Sequence, residues 1–271
     1  MTALDVVGAP QVRTPAYSSV GFGNLVRSEW TKLRSLRSMW LCAGLAAATM
    51  LGLAIGLGIR WAHQSGTMQT FDATNVSLSG VYLAQVIVGT VGVMTISSEY
   101  ATRMIRASFA AVPQRNSLLA AKGLVLVAAV LVLSEILAFA SFLVGQALMS
   151  SKHIGVSLSD PGVLRAVVGA GLFLTLVALL GFGLGSVVRH TAGALSAFFG
   201  ILFALDPITD LLPTAWRDDI IDYLPLNAGS QIFVIVNNKG ALGPWAGLGV
   251  FAIYALVAVV LGALLVDTRD A

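Results

Sequence analysis

Five long apolar stretches recur along this chain, with polar connectors between them. Met39 to Ile59, Leu78 to Ile96, Ala166 to Val188 and Trp245 to Val266 carry no charge, and Leu118 to Met149 carries only Lys122 and Glu135. A helix needs about 20 residues to cross the hydrocarbon of a bilayer. Each stretch therefore predicts one transmembrane helix. A sixth run, Thr191 to Leu205, is shorter. Asp206-Pro207 is expected to end it, because proline disfavours a helical residue before it.

Periodicity also organises the connectors. In "NLVRSEWTKLRSLR", residues 24–37, Leu25, Val26, Trp30 and Leu33 recur at helical spacing, with Arg27, Lys32, Arg34 and Arg37 as the polar face. This predicts an amphipathic helix lying in the headgroup layer, with Trp30 and Lys32 as interfacial anchors. The alternative is a straight extension of the first span. In "SEYATRMIRASFAAVPQR", residues 98–115, Glu99, Arg103 and Arg106 form one charged stripe and Ile105, Phe109 and Val112 an apolar one. The pattern predicts a helix, ended by Pro113, with Ser117 capping the next. Residues 206–235 contain Leu211, Leu212, Trp216, Ile220, Ile221 and Tyr223, too apolar for a solvated loop. They predict a short helix on or in the outer leaflet, since lipid-exposed irregular backbone is not tolerated. Residues 1–21 are polar and read as a disordered tail, leaving 22–271 as the membrane domain.

Composition sharpens the picture. Charged residues make up 11% of the chain and mean hydropathy is +0.86. A soluble domain carries roughly 25% charged residues, so the fold class is an all-α membrane protein. The net charge of +3 is dispersed between apolar runs and forms no basic domain, which argues against nucleic acid. With six spans and a cytoplasmic N-terminus, 11 of the 16 Lys and Arg residues fall on the cytoplasmic side. That bias follows the positive-inside rule and puts both termini in the cytoplasm.

Candidate chemistry is sparse. There is no G-x-x-x-x-G-K-[ST] phosphate loop, no G-x-S-x-G and no H-E-x-x-H. No metal or cofactor is implied, and the chain does not read as an enzyme. Cys42 is the single cysteine. Glu135 lies at membrane depth, where an ionisable group costs at least ~2–3 kcal/mol unless paired, hydrated or neutral. Gln85 and Gln146 are its possible polar neighbours. Glycine pairs four apart, Gly52/Gly56, Gly181/Gly185 and Gly243/Gly247, permit close helix packing.

Three stretches, "SEWTKLRSLRS" before the first span, "SEYATRMIRASFAAVPQR" after the second and "YLPLNAG" before the last, resemble the actinobacterial branch of type-2 ABC transporter permeases. Glu99, Tyr100, Ile105, Arg106, Pro113 and Arg115 match that pattern. Arg103 and Met104 depart from it, where Gly and Thr are usual. The resemblance implies a bacterial plasma-membrane exporter permease powered by a separate ATP-binding subunit, with two permease copies, homodimeric or paired with a similar permease. Residues 98–112 would contain the coupling helix, with Glu99, Arg103, Ile105, Arg106 and Phe109 at the contact. The segment before the last span would form external re-entrant half-helices. The alternative reading is an ion-coupled secondary transporter using Glu135.

Overall fold

The computed structural model describes residues 21–63, 72–102, 104, 115–150, 154–235 and 241–269. Most of these residues are helical, with no strand among them. Helix α1 spans Phe22–Ser35 and α2 spans Arg37–His63. Leu36 between them is extended (φ −77°, ψ 117°), so α1 is a separate helix and not an extension of the first span. A short α3, Ala73–Leu78, precedes α4, Val81–Ala101. Then follow α5 (Arg115–Ser150) and α6 (Val163–Val188). The fifth crossing comprises α7 (Thr191–Phe199), a π-helical turn (Gly200–Ala204) and α8 (Leu205–Thr209). Two further short helices, α9 (Thr214–Ile220) and α10 (Pro225–Ser230), lead to α11, Pro244–Arg269.

Six helical segments are long and apolar enough to span a membrane. The short fifth run is longer than the sequence predicts. Asp206-Pro207 does not end it, because the preceding wide turn absorbs the missing proline donor and helix continues to Thr209. The crossing thereby reaches 19 residues. Helix α5 already includes Arg115, so Ser117 lies within it and not at the expected cap.

Helix α6 is the axis of the bundle, flanked by α4, α5, α7 and α11. Close approach requires glycine there. A Cβ on Gly92 would strike the Ala178 carbonyl, and one on Gly181 the Gly89 carbonyl. Of the sequence-predicted pairs, Gly181/Gly185 and Gly247 meet neighbouring helices, while Gly52, Gly56 and Gly243 face open space. Phe173 anchors the core with its ring 5.3 Å from both Phe233 and Phe251. Helices α2 and α11 turn Leu41, Leu45, Ile55, Ile253, Leu256 and Val260 outward, as a lipid solvent permits.

The two ends of the bundle differ. At one end the chain's polar side chains tie loops to helices. Asp72 caps α3 by accepting from Asn75 N (2.9 Å) and also accepts from Ile235 N (3.0 Å). The Gln146 amide donates to Ala73 O and Ser77 Oγ, both 3.1 Å, and accepts from Val156 N at 2.8 Å. Arg165 donates to the Ile232 and Val234 carbonyls at 3.2 Å. The other end gathers α1, the C-termini of α4, α6 and α11, and the N-termini of α5 and α7. There Thr191 Oγ1 donates to Ser97 Oγ (3.1 Å), and Arg189 to Leu265 O (2.7 Å).

Candidate functional site

The site lies at this second end, where the connector between α4 and α5 leaves the bundle. Helix α1 reaches it because its apolar face, Leu25 with Val26, packs on Leu118 and Ala121 of α5. That packing carries Glu29 inward. Only 4% of the Glu29 side chain is exposed, against 5% for Lys122 and 13% for Glu99. Lys122 Nζ donates to Glu29 Oε2 at 2.5 Å and to Glu99 Oε1 at 2.7 Å. Lys32, 44% exposed, donates to Glu29 Oε1 at 2.6 Å and lies 3.7 Å from Glu99 Oε1. Four charges from three helices thus form one network around the flanks of the connector.

Physical chemistry explains why Glu29 and Lys32 stay charged. Burial pushes the Glu29 carboxyl up, but Lys122 and then Lys32 outweigh it and hold it below the usual carboxylate range. Burial pushes the Lys32 amine down, yet Glu29 and Glu99 outweigh that and raise it. Ion pairs buried to this degree contribute little net stability, but removing one partner is costly.

The residue beside Glu99 faces the other way. The Arg189 guanidinium lies 5.2 Å from the centre of the Tyr100 ring. Arg189 is the left-handed C-cap of α6 (φ 59°), and it also bonds the last turns of α11. Glu99 and Tyr100 together therefore join the end of α4 to α1, α5, α6 and α11. A displacement of the connector would be felt by all four.

A family model for ABC-2 family transporter proteins matches residues 25–205, about two thirds of the chain, and includes α1, α4, α5 and this network. The chain belongs to the ABC-2 transporter family. It is a multi-pass ABC transporter permease, a membrane transport component. The comparison with curated proteins returned no match. ABC-2 permeases in general dimerise and work with an ATP-binding subunit.

Of the residues singled out in the sequence, Glu99 and Lys32 meet in the network. Arg103, Ile105, Arg106 and Phe109 lie outside the described residues, as do residues 1–20 of the tail. Trp30, next to Glu29 on α1, is 46% exposed. Glu135 sits far along α5, against Gly171 of α6, where an added Cβ would overlap its carboxyl group. Its Oε2 is buried with no hydrogen-bond partner among the described residues. Neither expected neighbour reaches it: Gln146 is spent on α3, and the Gln85 amide donates to Tyr82 O. No cluster of potential metal ligands occurs among the described residues. Sequence reading missed Glu29, hidden among basic residues, and did not use Lys122. A lysine inside an apolar run was the available signal, since it demands a partner.

Proposed function

We propose that this ABC-2 permease is the membrane half of an ATP-driven exporter, and that residues 98–112 dock a separate ATP-hydrolysing subunit. The observation that carries the reading is the Glu29–Lys32–Glu99–Lys122 network, which grips both flanks of that connector. A docking element has to pass force to the spans. Glu99 and Tyr100 provide stiff links from the connector to four helices, so motion of the ATPase would tilt α4 and α5 and drag α1 with them. Ile105 and Phe109 are the apolar anchors at the contact, because buried anchors usually carry most interface energy. Arg103 and Arg106 tune association and its salt dependence. Two permease copies with two ATPase subunits make the transporter, in a bacterial plasma membrane with both permease termini in the cytoplasm. The basic bias of the connector end supports this orientation.

The test is co-expression with an ATPase subunit encoded beside the permease. The permease alone hydrolyses no ATP, and the complex does. Phe109→Ala weakens co-purification more than Arg103→Ala, at equal amounts of permease in the membrane. ATPase activity in a partner-free sample, or an unaffected complex after Ile105→Ala with Phe109→Ala, refutes the reading. Ion coupling through Glu135 has one supporting observation, its unpartnered carboxylate oxygen. It is the weaker reading, because no group of three or more potential metal ligands occurs among the described residues.

A further inference from the structure

Between α1, the start of α2 and the end of α4 lies a cleft of about 390 Å³. This is within the range of small-molecule sites, roughly 300–1,000 Å³. Its walls are apolar: Leu36, Met39 and Cys42 on one side, Val91 and Met94 on the other. Met94 and Leu36 are exposed, so the cleft opens on the outer surface of the bundle. Its base is the ion-pair network, and the four members of that network are the only charged side chains lining it among the described residues.

Among the described residues the base is balanced in formal charge but not in burial. Glu29 and Glu99 are both withdrawn from solvent, against one equally withdrawn ammonium, Lys122. Lys32 is half in solvent, where its charge is screened. Among the described residues, the low-dielectric end of the cleft therefore holds two carboxylates against one ammonium, with the second ammonium toward solvent. It also carries an unmet acceptor. Glu99 Oε1 accepts from Lys122, whereas Glu99 Oε2 is buried with no hydrogen-bond partner among the described residues. The nearby hydroxyls cannot supply it, because Thr95 donates to Val91 O (2.7 Å) and Ser98 to Met94 O (2.7 Å). A buried carboxylate oxygen without a donor is costly, and charge-assisted donors are the strongest remedy. The terminal torsion of a glutamate is soft, so a small turn presents Oε2 to the cleft.

We propose that this cleft binds a cationic amphiphile. Its protonated amine donates to Glu99, and its apolar body lies between Met39, Cys42, Val91 and Met94. This extends the permease reading by naming a ligand class at the connector end, which under that reading is the cytoplasmic leaflet. Occupancy there would touch the same carboxylate that links α4 to α1 and α5, so binding and coupling would share one residue.

Cys42 gives a built-in reporter, as the chain's single cysteine and part of the cleft wall. The full chain is placed in phosphatidylcholine nanodiscs without any ATPase, so failure of this test leaves the transporter reading standing. Cys42 is labelled with methyl methanethiosulfonate while dodecylammonium, dodecanol or dodecyl sulfate is added at matched membrane concentration. Dodecylammonium is expected to slow labelling saturably, at least tenfold more than dodecyl sulfate. Glu99→Gln should erase the preference among head groups. Met94→Trp, which fills the apolar half and leaves the network untouched, should abolish protection. It also keeps the test decisive if Glu99→Gln fails to fold. Equal protection by all three compounds, no protection, or a Cys42 that does not react in the free protein would each overturn the proposal.

Discussion

Replacing Lys122 with Met removes the central cation of the network. It leaves the Glu29 and Glu99 carboxylates facing each other, 96% and 87% out of solvent by side chain. Removing one partner of a buried pair costs about 3–5 kcal/mol. The two carboxylates can share a proton and Lys32 still reaches Glu29, so the lower end, about 3 kcal/mol, is appropriate here. Every 1.4 kcal/mol is tenfold, so the opening of α1 from α5 should become roughly 100-fold more populated. Lys32→Ala removes a half-exposed partner, worth about 0–1 kcal/mol, and should change opening less than roughly fivefold. Amide hydrogen exchange along Phe22–Ser35 reads this local opening directly. The wild type and both variants would be compared in the same nanodiscs. If Lys122→Met loosens α1 no more than Lys32→Ala does, the network does not hold α1, and the force path through Glu29 is wrong.

Other consequences follow from the same geometry. Gly181→Leu should destabilise the bundle by about 1–3 kcal/mol or misassemble it, because the side chain meets the Gly89 carbonyl, whereas Gly52→Leu should be tolerated within one protomer; thermal unfolding in detergent measures both. The Glu29 carboxyl is held below its ordinary value, so its contribution is complete above that value and is lost as pH falls through the lowered one. Lys32 is raised, so its contribution is complete below the ordinary lysine range and is lost as pH rises through the raised value. Exchange protection of α1 should therefore stay flat around neutrality and fall only toward both extremes; a loss centred near pH 6 or 7 would contradict the assignment. Glu135→Gln should leave assembly intact and alter transport moderately at most, since its carboxyl lies against Gly171 and makes no ion pair among the described residues; full transport loss with normal assembly would favour the ion-coupled reading.

The spans were legible because a bilayer imposes one strong rule: long apolar runs with their backbone bonds satisfied internally. The resemblance of three polar stretches to type-2 ABC permeases was legible too, and the family match agrees with it. What stayed hidden was pairing across the chain. Glu29 and Lys122 are 93 residues apart, and neither has a local partner that would advertise the bond, apart from Lys32 on the same helix. Periodicity assigned α1 its apolar face through Leu25, but it could not reveal that Glu29, one turn on, shares that buried side. The fifth crossing was underestimated because proline was weighed as a stop signal, without the wide turn that accommodates it. For Glu135, sequence supplied the depth but not the neighbour, which is a glycine backbone and not a glutamine.

The central claim is that the connector after α4 contacts an ATP-hydrolysing subunit in the cytoplasm. A Phe109→Cys substitution in a Cys42→Ser background tests it most directly. Inside-out membranes containing the permease and its co-encoded ATPase would be treated with a short thiol-to-amine cross-linker. The account predicts a permease–ATPase cross-link that an excess of free ATPase subunit does not dilute, with position 109 unreactive to impermeant thiol reagents added outside intact cells. Labelling of position 109 from outside, or no cross-link in membranes where the complex actively hydrolyses ATP, would contradict it.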